Sequence, residues 1–519
     1  MKFTYPLLAA VTILAGCAHS SANVPTAPTP SANDPPSRVA RISYLRGEVS
    51  LRVGGVEDWR AATANRPLTS GDELWTGDGG RAELHTGNAA LRLDSRTSVT
   101  LTEVGSGAIQ VKLTEGRLSL HVRDLEEDET FEIDTPDAAI SLLRAGSYRI
   151  EVSAGGPGTT VIARSGMAEL SGPGVSLIVR QGQEARVPGE VTKARPTDSF
   201  DEFCSGRDQR EERALASRHV STGVIGYEDL DEYGEWRTYP DYGWGWLPRG
   251  VPPGWAPYRF GHWVWIAPWG WTWMDDAPWG FAPFHYGRWV VVGAQWVWIP
   301  GPYHRRPIYA PALVVFIGGG GPGLRIHFRL EAGFGVAWFP LGPREIWFPP
   351  YRASRTYVTN VNITHTVVHN VANIHRTNIT RQRYVNREVE HAVTAVPEDV
   401  FRRAQPVQRG AVRISAREAA SASIGGSAPP VAPVRESMTR GERAAAPTVN
   451  RERREVIVNR RSPAPTKPGE AGRQQPQPTT RRDQQWEQRT RREESQRQER
   501  IAKERQQDQR SREKQQRKK

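Results

Sequence analysis

His365, His369 and His375 lie close together in the chain, and clustered imidazoles are the first place to look for a metal. Zinc sites need three or four ligands and an oriented shell behind them. No cysteine or acidic side chain accompanies these histidines, and the β-branched content of residues 360–391 argues against the helix that ligands four apart require. They read as polar strand residues, with no metal. Asp275-Asp276 is the one acidic pair in an aromatic region, whereas a glycosidase needs two separated carboxylates flanking a sugar. His262 and His285 occupy matching lead-ins of a repeat, which points to structure. Gly318 to Gly323 follows an apolar run but lacks the Lys-Ser/Thr and the helix of a phosphate loop, so it reads as a turn. No Ser/His/Asp or Cys/His set stands out. The expectation is a protein that is not an enzyme and carries no cofactor. What remains is aromatic chemistry: Trp255, Trp269 and Trp279 sit beside Pro or Gly and are the candidate exposed rings of a platform for sugar, cell-wall polymer or a Pro-rich peptide.

The elements that would position those rings are repeats. Residues 235–302 hold 13 of the 18 tryptophans, so the aromatic content belongs to one segment. Gly234-Glu-Trp236 … Gly243-Trp244-Gly-Trp246 recurs as Gly261-His-Trp263 … Gly270-Trp271-Thr-Trp273, and again as Gly287-Arg-Trp289 … Gln295-Trp296-Val-Trp298. Tryptophans two apart share one face of a strand, and the Pro/Gly segments between them are turn chemistry. Each copy therefore predicts a β-hairpin that buries its aromatic face only by packing on others. A buried indole removes roughly 150–250 Å² from water, so a dozen could hold a unit together with few aliphatics. Two uses of the rings stay open, core and platform.

Met1-Lys2, the apolar run Leu7 to Leu14 and the small-residue end Leu14-Ala-Gly-Cys17 come in the order of a secretory signal. The run is too short to span a bilayer. Leu-Ala-Gly-Cys resembles the lipobox of bacterial lipoproteins, which implies lipid on Cys17 and a membrane anchor through several acyl chains. Ala18 in place of Asp, by resemblance to the sorting rule of enteric bacteria, implies the outer membrane, facing the periplasm. Residues 1–17 are then signal peptide and lipobox, and 18–37 a flexible Ser/Pro-rich tether. With Cys17 on lipid, Cys204 has no partner within the chain and is expected to be buried or to pair between chains.

Residues 38–190 alternate apolar and polar residues over many short runs, such as Glu48-Val-Ser-Leu-Arg-Val53, Ile109-Gln-Val-Lys-Leu113 and Tyr148-Arg-Ile-Glu-Val152, with Gly, Asp and Pro turns between them. That pattern predicts a mainly β fold, as sandwich, barrel or solenoid. The order Ile42-Ser-Tyr-Leu-Arg-Gly47-Glu-Val49, Leu68-Thr-Ser-Gly71-Asp72, Gly79-Gly-Arg-Ala-Glu-Leu84, Ile133-Asp-Thr-Pro136 and Val179-Arg-Gln-Gly182 resembles the FecR-type domain of bacterial envelope proteins. In regulators of that family the domain is periplasmic, follows a membrane-spanning helix and relays a signal to a sigma factor. No spanning helix or cytoplasmic domain precedes it in this sequence, so the resemblance implies the β domain and not the anti-sigma role. Residues 227–352, with Phe339-Pro-Leu-Gly342-Pro-Arg-Glu345, resemble a companion domain of unknown function that often follows FecR-type domains in bacterial lipoproteins; this resemblance implies an architecture and no activity.

Residues 191–226 read as a linker with a helix over 208–217, and 353–400 as an Asn/Val/Thr-rich β extension. Pro311 to Ile317 reads as a buried strand, with return strands at 325–330 and 335–339. Residues 401–519 read as a disordered Arg/Gln-rich tail, helical at most from Arg481. The net charge of +12 is a tail property: residues 401–519 hold 30 Lys and Arg against 14 Asp and Glu, leaving the rest slightly acidic. Such a tail suits an anionic envelope polymer, peptidoglycan or lipid headgroups, and the export signal argues against nucleic acid. The main functional expectation is a binding or scaffolding module of the cell envelope, held by lipid and engaging wall polymer or an envelope protein. The alternative is a periplasmic signalling accessory that senses envelope state through its FecR-type domain.

Overall fold

The computed structural model describes residues 31, 34–153, 158–187, 189–318, 328–330, 333–426, 428–444 and 456–457. Cys17, most of the tether, Gly319 to Gly323 and nearly all of the chain after 444 lie outside the described residues. Among the described residues no helix is long and apolar enough to cross a membrane.

Seventeen strands from Ala40–Arg46 to Val191–Lys193 form two layers that share one strand, Ala108–Val122. Its first half pairs with Thr97–Val104 and, in parallel, with Thr130–Asp134; its second half pairs with Ala89–Leu93 and Gly146–Val152. The handover falls at Gly116, whose φ is +93° and where a Cβ would stand 2.4 Å from the Thr97 hydroxyl. Only glycine fits a strand that turns from one layer into the other at that point. The alternation read in the sequence becomes the core: Leu51, Leu74, Leu84, Leu91, Val99, Val111, Leu118, Ile133, Ile150 and Val161 are all buried between the layers.

The three Trp repeats are three hairpins. Gly234–Tyr239 pairs with Gly243–Pro248, Gly261–Ile266 with Gly270–Asp275, and Arg288–Val292 with Gln295–Ile299. The first and third join edge to edge through Trp246 and Trp298; the second is a two-stranded sheet of its own. The glycine that opens each copy is explained by the last tryptophan of that copy. A Cβ on Gly234, Gly261 or Gly287 would meet the ring of Trp246, Trp273 or Trp298 at 2.2, 2.7 and 2.5 Å. The indole packs against bare backbone, and the Gly-x-Trp … Trp-x-Trp spacing is the sequence record of that contact. Gly261→Ala is accordingly expected to overpack the site and cost about 1–3 kcal/mol, read as a lowered denaturation midpoint with unchanged slope.

A third sheet, of Phe328–Leu330, Gly333–Pro340, Val314–Ile317, Thr394–Pro397 and Ile424–Gly426, closes this half of the molecule. It contains the strands expected near 311–317, 325–330 and 335–339.

Three segments differ from expectation. Residues 353–400 are not a β extension: Arg355–His365 and Val371–Arg376 are helices. Ser354 caps the first, accepting from the Tyr357 amide at 3.1 Å, and Tyr357, Val361, Thr364 and His365 are buried along one face. That is a helical period, and burial of the face overrides the weak helix propensity of β-branched residues. Residues 191–226 are not a plain linker. The helix runs over Ser199–Glu212, started by a capping box of Asp198 and Asp201, and Phe200 and Cys204 are buried on its inner face. Residues 401–444 are not disordered: Phe401 and Val407 are fully buried, the strand Ile424–Gly426 pairs with Val314–Ile317, and Arg435–Met438 is a helical turn.

Candidate functional site

The ring platform expected at Trp255, Trp269 and Trp279 is corrected by the packing. Trp269 and Trp279 are 2% and 4% exposed and Trp255 is half-buried. Trp269 stands edge-on to Tyr309 at 5.2 Å, Trp279 packs on Trp246 at 5.0 Å and Phe284 at 5.8 Å, and Trp255 packs on Trp279 and Trp289. Their turns are exposed at Pro252, Pro253, Ala267, Pro268 and Pro278, but the rings fold inward from them, which the sequence could not distinguish. Trp244 is 46% exposed, its ring 4.1 Å from His219, and no local signal separates it from the other tryptophans of the Trp-x-Trp pairs.

The histidines do not converge on a metal. His365 is buried with Nε2 at 2.5 Å from the Ile308 carbonyl, and burial pushes it down to about 3. His369 and His375 are exposed. Asp275 is buried and accepts from the Trp273 indole and the Ala277 amide, and burial holds its pKa well above the usual range. It is a structural carboxyl, and exposed Asp276 pairs instead with His262 at 3.4 Å.

Chemistry concentrates where the two halves meet, in residues that, apart from Glu83 in the Gly79 to Leu84 run, lie in no motif of the sequence. Arg41, on the first strand, is 1% exposed. It donates to Asn65 at 3.0 and 2.8 Å and to the Pro278 carbonyl at 3.2 Å, and pairs with Asp229 at 2.6 Å and Glu228 at 3.4 Å. Asn65 in turn donates to the Ala277 carbonyl at 2.7 Å. Behind this contact Glu83 takes Arg92 at 2.6 Å and Arg207 at 2.6 Å. His85 stands between carboxylates of the two halves, Nε2 at 3.1 Å from Glu83 and Nδ1 at 2.9 Å from Glu228. Arg92 continues to Asp208 at 2.6 Å, Arg210 to Asp229 at 2.9 Å, and Arg123 to Glu211 and Tyr227. The helix 199–212 is thus the third wall of the cluster. Arginine suits it because one planar guanidinium satisfies several acceptors at once.

The electrostatics follow from the pairing. Burial alone would raise Glu83, but His85, Arg207 and Arg92 hold it well below the usual carboxylate range. Burial is likewise overcome at Glu228, which His85 and Arg41 bring down to about 2. Burial would lower His85, and the carboxylates of Glu228 and Glu83 raise it. Glu228 is lower folded than unfolded, so its contribution to stability is complete above its unfolded value and is lost as pH falls toward about 2. Glu228→Gln is expected to flatten the fall in stability below pH ~4.5, measured by urea midpoints at a series of pH values.

His85, Glu211 and Glu228 also bring one donor atom each within 4.8 Å, the one such group among the described residues. A divalent ion fits poorly there. Glu83, Asp208, Glu211, Glu228 and Asp229 already face Arg41, Arg92, Arg123, Arg207 and Arg210, so the cluster is balanced before any cation enters, and a proton on His85 suits it better. Cys204, on the inner face of the helix, is buried, and burial pushes its thiol up to about 11, which disfavours the thiolate at neutral pH. A cavity of about 40 Å³ beside Arg38, Glu129 and Arg306, and one of about 20 Å³ beside Phe316 and Val431, hold water at most.

Fold and site define a class: a mainly β protein in which a two-layer strand domain is bolted by buried ion pairs to a Trp-repeat domain. Residues 72–169 match the FecR protein family and residues 227–345 match a family of unknown function, DUF6600. The chain carries a FecR domain followed by a DUF6600 domain. Two crystal structures of a candidate anti-sigma factor from Parabacteroides distasonis are similar to part of it. One is 18% identical over 26% of this chain and 65% of its own, with a TM-score of 0.23; the other is 16% identical over 32% and 94%, with a TM-score of 0.22. No curated protein matches the chain.

Proposed function

We propose that this is a non-enzymatic lipoprotein of the cell envelope, anchored through Cys17, whose FecR-type domain reports envelope state to a protein partner. The FecR match over residues 72–169 is the observation that carries the signalling reading. Burial of Trp269 and Trp279 supports a protein partner over a wall-polymer platform, since the rings meant for sugar are core. The ion-pair cluster supports a FecR-type domain that acts as one body with its Trp-repeat companion. The test is a photo-crosslinking residue at Leu143, which is 42% exposed on the FecR-type domain, in the lipidated chain in its own envelope. A discrete protein adduct is expected. Adducts to wall material alone, or none from any exposed FecR position, would count against it.

Scaffolding on wall polymer is the second reading, favoured by one observation: Trp244 keeps an open ring against His219. Co-sedimentation with peptidoglycan sacculi that is lost in Trp244→Ala would select it.

A further inference from the structure

The chain after residue 430 returns to the FecR-type domain and closes an edge of it. Trp59–Ala61 is the last strand of its layer, paired on one side only with Val49–Arg52. Its outer side is met by residues 442–444: the Ala61 amide donates to the Glu442 carbonyl at 2.9 Å, the Ala444 amide to the Trp59 carbonyl at 3.1 Å, and Arg60 faces Arg443 in an antiparallel bridge. Gly441, with φ of +127°, brings this segment within reach; a Cβ there would stand 3.0 Å from the Ala61 carbonyl. Side chains fix the approach. Arg66 donates to the Met438 carbonyl at 3.0 Å and Arg60 to the Gly441 carbonyl at 3.3 Å, and Arg435 pairs with Asp58.

Two properties make this a strap rather than a strand. It is short, with two backbone hydrogen bonds to the edge, and its outer anchor is accessible, the Arg435 side chain being 65% exposed, whereas Arg66, Ser437 and Thr439 are buried. It also carries a cation held by a carboxylate at the place where it docks. Arg435 is held by Asp58, and Arg440 lies in the field of Asp276. An anion that takes Arg435 must part it from Asp58, which repels the anion. Such an anion therefore binds the undocked strap more tightly than the docked one, and by linkage it shifts the strap off the edge. The sequence beyond it strengthens the preference for an anion: residues 445–519 hold 22 Lys and Arg against 11 Asp and Glu.

We propose that residues 435–444 are a displaceable strap, and that a phosphate-bearing anionic polymer of the envelope uncovers the Trp59–Ala61 edge by capturing the strap's arginines. An uncovered edge offers free backbone N–H and C=O groups to another chain, which gives the FecR-type domain two states that differ in what they present. The inference rests on the signalling reading only for what the opened edge is used for.

The test is hydrogen exchange in the full chain with long-chain inorganic polyphosphate as probe. Within Val56–Ala62 the Ala61 amide, which donates to the strap, is expected to exchange at least about tenfold faster when polyphosphate is bound, a tenfold change corresponding to about 1.4 kcal/mol, while Glu73–Thr76 two strands inward stays protected. Ala444→Pro, which removes one donor to the edge, is expected to exchange fast without polymer. Arg435→Gln with Arg440→Gln is expected to bind polymer through the remaining chain yet keep the Ala61 amide protected. Polyphosphate bound with no change at the Ala61 amide would make the strap a fixed part of the fold and overturn the proposal, as would absence of binding. If the edge opens but no protein adduct forms at the FecR positions, the strap stands and the signalling reading falls.

Discussion

Glu83→Ala is expected to destabilise the protein by about 3–5 kcal/mol, because it leaves buried guanidiniums without their central acceptor. Glu83 is 1% exposed and holds Arg92, itself 1% exposed, together with Arg207 and His85. Removing the carboxylate strands charge that water cannot reach, which is far costlier than losing an exposed pair. The control is Asp124→Ala, which breaks the pair with Arg305 where both side chains are more than half exposed; its cost is expected to stay within about 1 kcal/mol. Urea denaturation of both variants measures the contrast. Equal effects would mean that the cluster is hydrated and does not join the two halves.

The second large effect separates core tryptophans from the open one. Trp269→Ala and Trp279→Ala are each expected to cost about 3–5 kcal/mol as cavity-forming core substitutions, since both rings are at least 96% buried among other aromatics. Trp244→Ala, at a ring 46% exposed, is expected to cost about 1 kcal/mol or less. Thermal or urea midpoints decide it. A mild effect at Trp269 and Trp279, with loss of binding to sacculi, would restore the platform reading.

Much of this fold is legible because its periods are clean. Alternation over 38–190 is the two-layer core, and Trp-x-Trp pairs are hairpin faces. What escapes is information held in pairs far apart in the chain. Arg41 and Glu228, or Arg92 and Asp208, look like ordinary surface charges until the fold brings them together. The helix at 355–365 is hidden for another reason: Tyr357, Val361 and His365 carry a helical period, but Val, Ile and Thr around them argue for strand, and tertiary burial decides the matter. The helix at 199–212 has its start signal in Asp198 and Asp201, but with only Phe200 and Cys204 buried beside Glu211 it has no apolar stripe to announce its length. Composition misleads about 401–444, where Phe401, Val407 and Val431 are too few among polar neighbours to announce a folded segment, yet each fills a place in the core.

The central claim is that the FecR-type domain and the Trp-repeat domain are one cooperative body. The measurement that tests it most directly is urea unfolding followed by two probes in the same samples. Tryptophan fluorescence reports on the repeat domain, and the rate of thiol labelling at Cys204 reports on the helix packed against the FecR-type layers. Coincident midpoints are predicted, and both should shift together in Glu83→Ala. If Cys204 becomes labelled at a urea concentration where the fluorescence is still native, or the reverse, the two halves unfold separately and the buried cluster does not join them.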